Sequence, residues 1–158
     1  MHTLMVDGDP PIVNVPPVPP VDVIRMCADV RNLGSLQSLT LSRVEIDTAA
    51  TMGALVNAAI ALQLRVLSLY DCATGLEALP ALTRFVSSVA ARKLVVFTDD
   101  DLFVDTHATH QFCAAVHTSS LQRLEFREGM VTAAVEVVVA IINDRGVWDG
   151  RNDGPAAA

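Results

Sequence analysis

Apolar residues recur along the chain in one spaced string. Leu36-Gln-Ser-Leu39-Thr-Leu41-Ser-Arg-Val44-Glu-Ile46 places them at relative positions 1, 4, 6, 9 and 11. The string returns as Leu64-Arg-Val-Leu67-Ser-Leu69-Tyr-Asp-Cys72-Ala-Thr74 and as Leu121-Gln-Arg-Leu124-Glu-Phe126-Arg-Glu-Gly129-Met-Val131. A weaker copy is Leu94-Val-Val-Phe97-Thr-Asp99-Asp-Asp-Leu102-Phe-Val104, and Met1-His-Thr-Leu4-Met-Val6 opens a fifth. Positions 4 and 6 lie two apart and share one face of a strand. Strands are therefore expected near 37–42, 65–70, 95–99 and 122–127.

Between the strings the period changes to that of a helix. Met52, Leu55, Val56, Ala59 and Ile60 fall at i, i+3, i+4, i+7 and i+8, an amphipathic stripe. Leu82, Phe85, Val86, Val89 and Ala90 repeat that spacing, with Pro80 near the helix start. Val23, Met26, Cys27 and Val30 form the first stripe, and Val135, Val138, Val139 and Ile142 the last. Ala108, Phe112, Ala115 and Val116 make a thinner one. Alternating strand and helix implies parallel strands joined by right-handed crossovers. Such a pair cannot bury its apolar face alone, so neighbours must stack.

The strings start at Met1, Leu36, Leu64, Leu94 and Leu121, so one unit is about 30 residues long. With this spacing and pattern the chain resembles the leucine-rich repeat proteins of the ribonuclease-inhibitor-like class. The resemblance implies an α/β solenoid of about five repeats over residues 1–146, with a parallel concave sheet and convex helices. Residues 147–158, rich in Gly, Pro and Ala after Arg145-Gly146, are expected to form a disordered tail.

The departures from the family pattern are as informative. Its ninth position is usually Asn or Cys, and only Cys72 conforms; Asp9 is a near substitute, while Val44 and Leu102 are expected to pack there instead. Asp99 stands where an inward leucine belongs. A buried unpaired carboxylate costs several kcal/mol, so either this strand shifts register or Asp99 accepts bonds from backbone N–H groups. The ends look uncapped: Met1 already occupies position 1, and Val137 and Ile141 make the last helix apolar on more than one face. Self-association through such ends is one expectation, and a fragment of a larger protein is another.

Composition narrows the function. The net charge of −7 and an aromatic content of 4% argue against nucleic acid, which asks for a basic face and stacking rings. Lys93 is the one lysine, leaving little for Schiff-base or P-loop chemistry. The longest uncharged run, Thr48 to Leu64, is too short and polar for a membrane span, and the N-terminus lacks the features of a signal peptide. Cys27, Cys72 and Cys113 are odd in number and stand far apart in the chain. They read as reduced thiols rather than a disulfide framework, with Cys72 buried at the strand-to-loop turn. A cytoplasmic or nuclear protein is expected.

Candidate chemistry is sparse. His107, His110, Cys113 and His117 lie at roughly 0°, 300°, 240° and 280° around a helix, one solvated face that spans about 15 Å and cannot wrap a tetrahedral ion. Asp99 and Asp101 share one side of a strand but lack supporting oxygens for a cation. No G-x-S-x-G elbow, glycine-rich phosphate loop or catalytic Cys–His context occurs. No cofactor or metal is therefore expected. Pro16-Pro17-Val18-Pro19-Pro20 reads as a stiff connector, with an SH3 ligand as the alternative, and Trp148 as packing against the open end.

The family resemblance implies a non-enzymatic module that binds a partner protein on its concave face, as part of a larger receptor or scaffold. Its alternatives are a GTPase activator of the Ran-type class, for which no activator motif is present, and a truncated fragment without independent function. Equal repeat positions align across a parallel sheet about 4.8 Å apart. Position 8 then reads Arg43, Asp71, Asp101 and Glu128, and position 7 Ser42, Tyr70, Asp100 and Arg127. The expected site is an acidic row with Tyr70 as the face's single aromatic, steering a partner with a basic surface toward Tyr70 and Arg127.

Overall fold

The computed structural model describes residues 2–7, 25, 29, 36–75, 78–127, 129 and 131–145. The stripe from Val23 to Val30 apart from Arg25 and Asp29, the proline run, Cys27, Glu128, Trp148 and the tail lie outside them. Strands β1 (His2–Asp7), β2 (Leu36–Ser42), β3 (Val66–Tyr70), β4 (Lys93–Phe97) and β5 (Arg123–Phe126) form one sheet in chain order. Every neighbouring pair is parallel. Helices α1 (Ala49–Ala61), α2 (Ala78–Val86), α3 (Thr106–His117) and α4 (Ala133–Arg145) alternate with the last four strands and pack neighbour on neighbour. The chain is thus an α/β protein with a parallel sheet.

The core lies between the helices and one face of the sheet. Leu39 and Leu41, Leu67 and Leu69, Leu94 and Val96, and Leu124 bury there against Met52, Leu55 and Val56 of α1, Leu82 and Phe85 of α2, and Phe112 and Val116 of α3. Each fully buried side chain of this size contributes about 1.5–3 kcal/mol. Local signals set the helix starts. Thr48 and Thr51 form a reciprocal capping box at α1, with backbone-to-hydroxyl distances of 3.1 and 3.2 Å. The carboxylate of Asp105 accepts from His107 and Ala108 N–H at 2.9 and 3.1 Å at the start of α3. Pro80 sits in the first turn of α2, where its missing N–H costs nothing.

Two stripes are narrower than their spacing indicates. Helix α2 ends at Val86, so Val89 lies beyond it, 80% exposed, and Ile60 of α1 is also exposed. Val137 and Ile141 stand exposed on α4, as the pattern foretold.

The largest correction concerns β4. Leu94 pairs with Leu67 and Val96 with Leu69, whereas the repeat pattern set Leu94 opposite Leu64. Leu94 and Val96 therefore point inward, Ala91 replaces a leucine at the first position, and Asp99 falls past the strand end, with 91% of its side chain exposed. Of the two expectations for Asp99, the register shift holds. Its physical reason is that the alternative would bury a carboxylate in an apolar layer.

Candidate protein-interaction face

The sheet face away from the helices carries the odd strand positions. In register they read Ser38, Val66, Lys93 and Arg123; then Thr40, Ser68, Val95 and Glu125; then Ser42, Tyr70 and Phe97, with Arg127 one residue beyond Phe126. Ser38, Val66, Ser68 and Val95 have almost no accessible surface. Contact with another molecule must come from the half-buried ring around them: Thr40, Ser42, Tyr70, Lys93, Phe97, Arg123, Glu125 and Arg127.

The register shift places Phe97, not Asp100, beside Tyr70. The two rings meet edge to face, with centroids 5.4 Å apart and planes at 80°. This is the favoured geometry for aromatic quadrupoles and is worth about 0.5–1.5 kcal/mol beyond area burial. The face therefore holds an aromatic pair rather than a single ring. Phe126 turns to the opposite side and packs with Phe103 and Phe112.

Among the described residues the expected acidic row does not form, and Glu128 lies outside them. Arg127 reaches back across β4, and its two guanidinium nitrogens bind Asp71 and Asp99. Arg123 pairs with Glu125 at 3.2 Å. Being partly exposed, each pair is worth no more than about 1 kcal/mol, but together they cancel the carboxylates at this rim. Asp71 takes a left-handed φ of 54°, as does Arg43 at the equivalent place after β2. This turns both side chains outward while their N–H groups bond to Phe97 O at 2.7 Å and Tyr70 O at 2.9 Å.

Asp100 is occupied elsewhere. Its carboxylate accepts from the Thr74 and Gly75 N–H groups at 2.8 and 3.0 Å, tying the turn after β3 to the turn after β4. Buried Thr98 completes the link, donating to Cys72 O at 2.8 Å and accepting from Asp100 N–H at 3.1 Å. Asp101 is exposed and accepts a 3.3 Å bond from Phe103 N–H. Of the expected site residues, the fold thus gathers Tyr70, Asp71 and Arg127, sets Asp100 and Asp101 apart, and adds Phe97 and Asp99. The missed signal was Leu94-Val-Val-Phe97, four apolar residues in succession, which fit a strand in either phase.

Cys72 is buried at the turn, and burial pushes its thiol up from the ordinary value, partly offset by backbone hydrogen bonds at Val44, Tyr70 and Arg43. Desolvation raises half-buried Cys113 as well. On α3, His107, His110 and His117 face solvent, and among the described residues no group of three or more His, Cys, Asp or Glu is placed to hold a metal ion. No helix among them is long and apolar enough to cross a membrane. No protein-family model, curated protein or solved structure matches the chain.

Proposed function

We propose that the chain is a leucine-rich repeat solenoid of the ribonuclease-inhibitor-like class and that the sheet face turned away from α1–α4 docks a partner protein. The solenoid reading is supported by the recurring string together with strands that pair in chain order, the last four each followed by a helix. The docking reading is carried by the Tyr70–Phe97 pair. Two large rings stay half-buried on a sheet face that no described helix covers. Aromatic anchors ringed by polar groups are what energetic centres of protein interfaces look like. Lys93, Arg123 and Arg127 balance Glu125, Asp71 and Asp99 around the rings, so the site favours shape and apolar contact over a strongly basic partner. No catalytic role is assigned in this reading.

The test uses affinity capture followed by calorimetry on each purified candidate partner. Tyr70→Ala and Phe97→Ala should each weaken binding at least tenfold, on the order of the cost of losing an interface anchor. Gln111→Ala, exposed on α3, should leave it unchanged. Binding that survives both aromatic substitutions but falls with Gln111→Ala would move the site to the helices and refute the reading.

A further inference from the structure

β5 is the last strand of the sheet, and its outer side has no neighbouring strand among the described residues. In a parallel strand successive residues point their backbone groups to alternate sides. Arg123 N–H turns toward β4, bonding to Arg92 O at 3.1 Å, so both backbone groups of Leu124 point to the free edge. There they meet one side chain. Asn143, in the third turn of α4, accepts from Leu124 N–H through Oδ1 at 2.9 Å and donates through Nδ2 to Leu124 O at 3.0 Å. A carboxamide has the same donor and acceptor as a peptide unit. Asn143 occupies the place that the peptide of a sixth strand would take, and satisfies both groups at once.

We propose that Asn143 acts as a surrogate strand that closes the edge of β5 to strand addition, whether by a partner's extended segment or by β5 of a second copy. An exposed edge of this kind is a ready template for pairing, and proteins block such edges in specific ways. Here the block is a single side chain held by the helix that follows the strand. The inference is independent of the docking face, because Leu124 points its side chain into the core and its backbone sideways. It also bears on the expectation that open ends drive self-association: at this end Asn143 occupies the edge at Leu124, while Val137 and Ile141 of α4 remain exposed.

Two variants and two readouts test it. In the wild-type protein the Leu124 amide should exchange with deuterium as slowly as the ladder amide of Glu125. Asn143→Ala should speed exchange at Leu124 by at least about tenfold, the worth of one net hydrogen bond, without changing Glu125. The same variant should bind a synthetic peptide of the 121–127 sequence, or sediment as a concentration-dependent dimer, where the wild type does neither. Asn143→Asp keeps the acceptor for Leu124 N–H but has no donor for Leu124 O, so it should protect the Leu124 amide less than wild type. Its edge charge should still exclude the peptide, and circular dichroism checks that both variants are folded. The proposal is overturned if the wild-type Leu124 amide exchanges like an unprotected one. It is equally overturned if Asn143→Ala, folded and with Leu124 deprotected, neither dimerises nor takes the peptide.

Discussion

Replacing Asp100 with alanine separates a structural carboxylate from a binding one. In the fold, one oxygen of this side chain receives the N–H groups of Thr74 and Gly75 at 2.8 and 3.0 Å in a part-buried turn. Hydrogen bonds to a charged acceptor are worth about 1.5–3 kcal/mol each, and the donors left behind have no other described partner. With a discount for partial exposure, Asp100→Ala should cost about 2–4 kcal/mol. For a chain of this length that lowers the melting temperature by about 5–15 °C. Asp100→Asn keeps an acceptor and should lose about half as much. Asp101→Ala, which removes one long, part-buried 3.3 Å bond from Phe103 N–H, should cost no more than about 1 kcal/mol. Urea titration of the three variants followed by circular dichroism gives the ranking, and calorimetry with a partner checks that none alters affinity once folded. If Asp100→Ala came within about 0.5 kcal/mol of wild type, the span of an ordinary surface substitution, the account of the turn would be refuted. Weakened binding by a fully stable variant would return Asp100 to the docking surface.

Two further outcomes are expected. Gly75 has φ 72°, and a Cβ there would lie 2.4 Å from the backbone oxygen of Asp47. Gly75→Ala should therefore destabilise the protein by about 2 kcal/mol or more, measured in the same titration; a neutral effect would show that the two turns are not in contact. Burial raises the Cys72 thiol above its ordinary value of 9.0, so its contribution to stability is full below pH 9.0. That contribution declines as pH rises from there through the higher folded value, because the unfolded chain ionises first. Unfolding free energies measured across the alkaline range should fall more steeply in wild type than in Cys72→Val, and equal slopes would contradict it.

The sequence alone carried the alternation of strand and helix, because the apolar period switches from two to 3.6 along each unit. It placed β2, β3 and β5 to within one residue at either end, since Leu39/Leu41, Leu67/Leu69 and Leu124/Phe126 are apolar pairs spaced by two with polar or small residues between. It also located Cys72 in the core. It had no means to phase β4. Leu94, Val95, Val96 and Phe97 are all apolar. Moving the start of that unit from Leu94 to Ala91 merely lengthens it by as much as it shortens the unit before, so the spacing is no arbiter. Only the ladder with β3, where Tyr70 stands opposite Phe97, chose between them. That choice rewrote the site. It brought a second ring to Tyr70, released Asp99 to Arg127, and drew Asp100 into the turn at Thr74 and Gly75 of the preceding unit. Contacts between elements distant in the chain, like the bonds from Asn143 to Leu124, leave no local pattern to read. They depend on which backbone groups the sheet leaves unpaired, and that is settled only when the units are stacked.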